Sequence, residues 1–192
     1  MIIVIEGNIA CGKSSLVKAL KLYCDTIGTE CLIFDEPINQ DLLTLYISDL
    51  KRYALPFQVI ILKDRIALLK KAFEIDSPEK IILLDRGLIG DACFALMQYE
   101  NGYFTDQEYK VYKSLTNIDH LDGAVRTIYL RCDPKVSFDR MKKRGAEQYT
   151  LEYLIDLHEM HEELLEGNET IDWNEDRESI PDDLCSKILF GV

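Results

Sequence analysis

The sequence is poor in basic residues for its length. Its 192 residues contain 22 Lys and Arg against 34 Asp and Glu, which gives a formal net charge of −12. This acidic excess argues against nucleic acid or an anionic membrane as a general partner, because both repel a negative surface. An acidic protein that binds polyphosphate must concentrate its positive charge locally. We therefore expect a few basic clusters around any such site.

The sequence also lacks long apolar runs and paired cysteines. Its apolar runs are far shorter than a membrane span, and the first predicted strand begins at Ile2, so we expect no signal peptide. The six cysteines show neither C-x-x-C pairing nor metal spacing with histidine, which indicates reduced thiols in a cytoplasmic protein. The length and an apolar fraction of 47% predict one globular domain over residues 1–192.

The strongest motif stands at the start of the chain. An apolar run over residues 2–5 leads into Gly7-Asn8-Ile9-Ala10-Cys11-Gly12-Lys13-Ser14, which matches G-x-x-x-x-G-K-[ST]. The glycines let successive backbone N–H groups turn toward an anion, and helical periodicity from Ser15 places a helix N-terminus behind it. Lys13 is predicted to reach the outer phosphates of a nucleotide and Ser14 to bind Mg²⁺. Such a pattern also arises by chance, but the strand before it and the helix after it favour a nucleotide site.

Strands alternate with helices along the rest of the chain. Apolar runs predict strands at residues 2–5, 31–34, 81–84, 126–131 and 171–173, with helices between them and Gly28 ending the first helix. Pro56 is expected to break the helical pattern over residues 41–75. This alternation predicts an α/β fold with a parallel sheet covered on both faces.

Carboxylates follow two of the predicted strands. Glu36 and Asp85 each lie at the strand-end edge that carries the phosphate-binding loop. One carboxylate near Mg²⁺ is expected, since the ion prefers one or two carboxylates together with phosphate oxygens. The second suits a general base, because a hydroxyl acceptor must lose its proton whereas a phosphate acceptor needs no base. The alternative is that Glu36 is a solvated carboxylate at a strand end.

Basic residues concentrate at two places. Arg86 follows Asp85, and a predicted helix ends in Arg140, Lys142, Lys143 and Arg144 before Gly145. These cations suit phosphoryl transfer, and the polar segment at 145–149 suits a lid over about 140–150. The alternative is that the basic cluster has a purely structural role, since the helix dipole favours basic residues at a helix C-terminus.

The three histidines carry no catalytic signal. His158 and His161 are three residues apart on a predicted acidic helix, but no Cys or third His lies nearby to complete a metal site. His120 falls in a predicted loop without a partner. We interpret all three as non-catalytic.

Several further motifs occur in a recognisable order. They are Glu6 with the loop that follows it, Glu36-Pro37, Pro56-Phe57-Gln58, Asp85-Arg86, Tyr129-Leu130-Arg131, the basic cluster, Tyr153-Leu154, Leu157-His158-Glu159-Met160-His161-Glu162 and Asp172-Trp173-Asn174-Glu175-Asp176. In this set the chain resembles the animal-type deoxynucleoside kinases, which include deoxycytidine, deoxyguanosine and insect multisubstrate enzymes. Herpesvirus thymidine kinases are more distant relatives. The lack of N-terminal and loop insertions resembles a compact viral member.

The resemblance implies a P-loop kinase fold with a five-stranded parallel sheet flanked by helices, and it implies a role for each matching residue. Glu36 would take the proton of the 5′-hydroxyl, Arg86 would steady that hydroxyl and the phosphates, and Lys13, Arg140 and Arg144 would complete the catalytic cations. Ser14 and Asp85 would hold Mg²⁺. The ATP site would comprise Gly7, Asn8, Ile9, Ala10, Cys11, Gly12, Lys13, Ser14, Ser15, Arg140, Arg144, Asn174, Glu175 and Asp176. The deoxynucleoside site would comprise Glu36, Tyr46, Gln58, Arg65, Arg86, Asp91 and Glu147.

The resemblance also bears on substrate choice. Arg65 and Asp91 occupy positions beside the base edge, where such a pair resembles deoxycytidine and deoxyguanosine kinases and leaves little room for a 5-methyl group. We therefore favour deoxycytidine or purine deoxynucleosides over thymidine, although the pair could be a simple salt bridge between helices. Alternative functions are a thymidine-specific kinase, a thymidylate kinase-like nucleoside monophosphate kinase and a non-catalytic nucleotide-binding subunit. A homodimer is also implied.

Overall fold

A computed structural model describes residues 1–116, 125–145, 149–176 and 179–191. Within these ranges, strands and helices alternate as the sequence predicts. In chain order they are β1 (Ile2–Gly7), α1 (Lys13–Thr26), β2 (Glu30–Phe34), α2 (Gln40–Ser48), α3 (Leu50–Ile75), β3 (Lys80–Asp85), α4 (Leu88–Glu100), α5 (Asp106–Leu115), β4 (Arg126–Arg131), α6 (Pro134–Arg144), α7 (Leu151–Leu164), β5 (Glu169–Asp172) and α8 (Asp182–Phe190).

The strands form one parallel sheet in the order β2-β3-β1-β4-β5, which confirms the predicted five-stranded α/β architecture. The central strand β1 is buried along its whole length, as its apolar run requires. Its alternate side chains serve two cores. Ile3 and Ile5 pack with α1 and α8 on one face, while Ile2 and Val4 pack with the C-terminal half of α3 on the other.

The predicted break at Pro56 is wrong. The chain leaves helical geometry earlier, at Asp49, where φ is −157° and the side chain accepts a hydrogen bond from the Arg52 N–H. Helix α3 then runs without interruption through the exposed Pro56 to Ile75. A proline inside a helix removes one backbone hydrogen bond, at a cost of about 3 kcal/mol, and packing of the long helix outweighs it.

The end of helix α1 and the environment of the cysteines can be compared with the sequence. Helix α1 ends as predicted before Gly28, which has a left-handed φ of 72°. All six cysteines are buried and unpaired. Among the helices of the described ranges, none combines the length and apolarity needed to cross a membrane.

Candidate active site

A cleft of about 390 Å³ opens where the carboxyl ends of β1, β2 and β3 meet helices α3, α4, α6 and α7. Parallel strands place their carboxyl ends at one edge, so this location follows from the topology. The described residues that line it and were predicted from the sequence are Ile9, Ala10, Gly12, Lys13, Ser14, Ser15, Glu36, Tyr46, Gln58, Arg65, Asp85, Arg86, Arg140, Arg144, Glu175 and Asp176.

The phosphate-binding loop forms one end of the cleft. Gly12 has a φ of 117°, and a Cβ there would lie 2.6 Å from Nε1 of Trp173, so only glycine fits. The buried Lys13 ammonium donates to the carbonyl oxygens of Gly7 and Asn8, at 3.1 and 2.9 Å. Nδ2 of Asn8 donates to the Leu154 carbonyl at 2.8 Å. The loop is therefore held from behind by α7.

Two oxygen groups meet beside the loop. The Ser14 hydroxyl donates to Oδ2 of Asp85 at 2.5 Å, and Oδ1 of Asp85 is buried without a hydrogen-bond partner. A hydroxyl and a carboxylate with a spare oxygen are ligands that Mg²⁺ accepts together with phosphate oxygens. The pair that the sequence predicts for the metal is thus adjacent and chemically suited to it.

Arg86 lies in the centre of the cleft in a strained backbone conformation. Its φ is 73°, a left-handed value that costs a residue other than glycine about 1–3 kcal/mol. The backbone N–H donates to the Ile5 carbonyl at 3.0 Å, and the guanidinium lies 4.8 Å from the ring centre of Phe94. Its Nε donates to Glu36 at 2.8 Å. These contacts fix the direction in which the guanidinium points.

Glu36 is the carboxylate that faces these cations. It accepts hydrogen bonds from Arg86 and from Nη2 of Arg65, and its side chain keeps 20% of its surface exposed. Burial favours the neutral form, but the positive charges around it, with Arg86 the strongest, outweigh burial and lower its pKa from 4.5 to about 2. Glu36 is therefore ionised throughout the physiological range and lies open to the cleft.

A second carboxylate, Glu6, lies behind Arg86, and the sequence analysis assigns it no role beyond its place in the motif. Its Oε1 accepts from the backbone N–H groups of Gly87 and Gly90, each at 2.9 Å, at the N-terminus of α4. A Cβ on Gly90 would collide with this carboxylate, so the glycine is required. Burial raises the pKa of Glu6, and the charge of Arg86 opposes that shift. Glu6 thus anchors β1 to the start of α4, directly after Arg86 in the chain.

His161, interpreted above as non-catalytic, contacts Arg86 directly. Its Nδ1 lies 2.7 Å from the Leu157 carbonyl, an acceptor, so Nδ1 carries the proton and Nε2 has a free lone pair. Nη1 of Arg86 lies 3.3 Å from that Nε2. Burial, reinforced by the charge of Arg86, holds the pKa of His161 well below its usual value. A fully buried neutral histidine therefore holds the arginine from α7, a relation that spacing in the sequence does not reveal.

Aromatic and amide side chains line the opposite end of the cleft. Tyr46 stacks on Phe57 with ring centres 4.7 Å apart, and its hydroxyl lies 3.2 Å from that of Tyr153. Burial raises the pKa of Tyr46 to about 12, so the phenol is protonated. Next to Phe57, the buried Gln58 donates through Nε2 to the Asp91 carbonyl at 3.2 Å. This end has flat apolar faces and amide groups, which suit a planar heterocycle.

Arg65 and Asp91 form a pair, as predicted, with Nη1 to Oδ1 at 2.7 Å. The other oxygen of Asp91 accepts from the Tyr112 hydroxyl at 2.7 Å. Arg65 also contacts Glu36, so it links the helix pair to the carboxylate in the cleft. Asp91 itself is fully buried behind Arg65, outside the described residues that line the cleft.

Arg140 braces the end of the cleft formed by the phosphate-binding loop, called the donor end below. Its Nη1 donates to the carbonyls of Cys11 and Trp173 at 2.9 Å each, and its Nε donates to Asp176 at 2.9 Å. It thereby joins the phosphate-binding loop to the segment after β5. Asn174 lies in that segment and accepts from the Asp133 N–H. Glu147 lies outside the described residues, together with its neighbours 146 and 148 in the predicted lid.

Known proteins share both the sequence pattern and this architecture. A family model described as deoxynucleoside kinase matches residues 3–186. The chain is 34% identical over 167 residues to a kinase protein, 029R, of Invertebrate iridescent virus 3, covering 84% of this chain and 80% of that one. It is 30% identical over 171 residues to a deoxyguanosine kinase of Lactobacillus acidophilus, covering 85% and 72% of the two chains.

A solved structure shares the whole fold. Deoxyadenosine kinase from M. mycoides, determined with dCMP and dCDP, matches with a TM-score of 0.76 and 25% identity over 100% of this chain and 97% of that one. The sheet, the phosphate-binding loop and the cleft are thus those of a P-loop kinase. Together with the match over residues 3–186, they show that this chain belongs to the deoxynucleoside kinase family of phosphotransferases.

Proposed function

We propose that this kinase transfers the γ-phosphoryl group of ATP to the 5′-hydroxyl of a deoxynucleoside, with Glu36 as the general base. The observation that carries the proposal is the position of Glu36, an ionised carboxylate that faces the cleft between Arg65 and Arg86. A kinase that phosphorylates a hydroxyl needs such an acceptor for the proton, whereas a kinase acting on a monophosphate does not.

The proposed step conserves atoms and charge. The 5′-oxygen forms a bond to the γ-phosphorus, the bond from that phosphorus to the β,γ-bridging oxygen breaks, and ADP leaves. The hydroxyl proton passes to Glu36 late in a loose transition state, so a carboxylate with a low pKa suffices. Arg86 stabilises charge on the equatorial oxygens, and Lys13 turns from the loop carbonyls to the phosphates. When bound, Mg²⁺ neutralises phosphate charge, and Ser14 and Asp85 would hold it.

We propose deoxycytidine or a purine deoxynucleoside as the preferred acceptor. Tyr46 and Phe57 give the base apolar surface, and Gln58 gives it an amide. Arg65, held by Asp91, would lie beside the edge of the base and occupy the space that a 5-methyl group needs. Among the relatives, a deoxycytidine kinase 2 of Gallus gallus is 30% identical over 193 residues, covering 82% and 71% of the two chains. Thymidine is therefore the less favoured acceptor.

We further propose a cytoplasmic homodimer. Buried, unpaired cysteines suit a reducing compartment, and the net charge of −12 disfavours nucleic acid as a partner. Exposed apolar residues on α2, Leu45 and Ile47, give a surface that a second copy would cover. Sedimentation of the purified protein tests the dimer, and a monomer at micromolar concentration would contradict it.

Replacing Glu36 by Gln tests the proposed function. We expect kcat for the best deoxynucleoside to fall by about 10²–10⁴ while ATP affinity is kept, because the amide keeps the shape of the side chain but cannot take a proton. Asp35→Asn is the matched control, since Asp35 is an exposed carboxylate next in the chain. An unchanged rate in Glu36→Gln, or preference of the wild type for nucleoside monophosphates, would contradict the proposal.

A further inference from the structure

Two buried glutamines, Gln58 on α3 and Gln98 on α4, form a hydrogen-bonded pair in the base end of the cleft. Nε2 of Gln98 donates to Oε1 of Gln58 at 2.7 Å. The same Nε2 donates to the Phe94 carbonyl at 3.1 Å. Nε2 of Gln58 donates to the Asp91 carbonyl at 3.2 Å. The sequence pointed to Gln58 only.

The orientation of each amide is fixed by the groups around it. A backbone carbonyl accepts hydrogen bonds and cannot donate them, so the carbonyls of Asp91 and Phe94 each require an NH₂ group opposite them. Flipping Gln98 would place its oxygen against the Phe94 carbonyl and against Oε1 of Gln58. Both N–H groups of Gln98 are used in these two hydrogen bonds. Its remaining polar atom is Oε1, an amide oxygen, which can only accept a hydrogen bond.

Oε1 of Gln98 is buried and has no hydrogen-bond partner. An unsatisfied buried acceptor is rare in folded proteins and costs free energy unless a ligand or water satisfies it. Gln98 is 1% exposed, yet it lines the same cleft as Gln58. Its oxygen is therefore available to a hydrogen-bond donor, a water or a ligand group, in the base end of the cleft.

We propose that Gln98 is a specificity-determining residue whose Oε1 accepts a hydrogen bond from the exocyclic amino group of the nucleobase. The inference rests on the proposed function, since it assumes a deoxynucleoside in this end of the cleft. Cytosine carries an amino group at C4 and adenine carries one at C6, whereas thymine presents a carbonyl oxygen at C4, which an acceptor repels. Gln98 thus selects for amino-bearing bases by chemistry, in addition to the steric effect of Arg65.

The competing interpretation is that Gln98 only braces Gln58. Loss of a brace weakens binding of every base by a similar factor, with or without an amino group. Loss of an acceptor weakens binding only of bases that carry the amino group. Pairs of ligands that differ in that group alone separate the two roles.

The experiment measures Kd by calorimetry, in the presence of a non-hydrolysable ATP analogue, for two ligand pairs. One pair is deoxyadenosine and purine 2′-deoxyriboside; the other is deoxycytidine and the 2′-deoxyriboside of pyrimidin-2-one. In each pair the second ligand has hydrogen in place of the amino group. We expect the wild type to bind the amino-bearing member about tenfold more tightly. In Gln98→Met, which keeps the length of the side chain, this ratio should fall to about twofold or less.

Gln107→Met is the matched control, because Gln107 is exposed on α5 outside the cleft, and its ratio should equal that of the wild type. Gln98→Asn, which withdraws the amide by one methylene, should lower the ratio as Gln98→Met does. A ratio near one in the wild type overturns the proposal whether or not the variants fold. So does an unchanged ratio in a folded Gln98 variant. Absence of turnover with all deoxynucleosides would instead contradict the proposed function, and the binding ratio would still be measured.

Discussion

The donor and acceptor ends of the cleft are built in opposite ways. The donor end is built on one continuous loop between β1 and α1, and the Lys13 ammonium donates to the Gly7 carbonyl within it. The acceptor end joins β1, β3 and helices α3, α4 and α7 through side chains. Its contacts span long separations, with Arg86 and His161 lying 75 positions apart in the chain. The shape of the phosphate-binding loop is thus set by adjacent residues, although Arg140 and α7 contact it from distant parts of the chain. The acceptor end is assembled wholly from residues that meet only in the folded protein.

The two ends also differ in how they carry charge. The acceptor end buries Glu6, Asp91, Arg65 and Arg86 together, with Glu36 at its surface. Removing one member of a buried ionic network costs about 3–5 kcal/mol, because its partners stay buried without compensation. Substitutions at this end therefore need variants that keep the charge. Four predictions below test the contrast, from the largest expected effect to the smallest.

Arg86→Lys should have the largest effect. Lysine keeps the charge but cannot donate to Glu36 and His161 at once, because it lacks the planar fork. We expect kcat to fall by about 10²–10³ with little change in KM for ATP, as for loss of a donor aimed at transition-state charge. Steady-state kinetics with ATP and the best deoxynucleoside measures this. A variant with more than a tenth of wild-type kcat would show that Arg86 acts only in folding.

Arg140→Lys should affect the donor end instead. Its guanidinium joins Cys11 of the loop to Trp173 and Asp176, and an ammonium cannot span all three. We expect KM for ATP to rise by about tenfold to thirtyfold, on the scale of one or two lost charge-assisted hydrogen bonds. KM for the deoxynucleoside should stay within a factor of about two. Arg126→Lys, in an exposed pair with Glu169, is the matched control.

The contrast explains what the sequence could predict. The loop was recognisable because its residues are adjacent and their spacing reflects one backbone shape. Glu36, Asp85 and Arg86 were predictable because parallel strands bring their ends together. Glu6, Gln98 and His161 were missed because each acts through a partner that only tertiary packing supplies. The predicted break at Pro56 is wrong for the same reason, since tertiary packing along α3 outweighs the local cost of a proline within a helix.

His161→Phe tests one of these long-range contacts. Phenylalanine keeps the ring that stacks on Tyr129 but removes the acceptor for Arg86. We expect kcat to fall about tenfold, the scale of one hydrogen bond to a charged group, with KM for ATP unchanged. His161→Gln, which restores an acceptor, should recover part of the rate, whereas a purely structural role would not be rescued in this way. His158→Phe should behave as the wild type because His158 contacts Tyr129 and Glu162, not Arg86.

The smallest expected effect is the response of Glu36 to pH. Its pKa is lowered to about 2, so near pH 5 the protonated fraction is roughly 0.001, and deprotonation is complete across pH 5 to 8. Because kcat/KM reports the ionisation of the free enzyme, its profile over this range should have no acidic limb from Glu36. Glu36→Gln should therefore show a lower profile of the same shape. An acidic limb near pH 6 that is present in the wild type and absent in Glu36→Gln would mean that the arginines do not hold Glu36 ionised before substrate binds. In that case the low pKa, which distinguishes the partly buried Glu36 from the fully buried Glu6, would not govern catalysis.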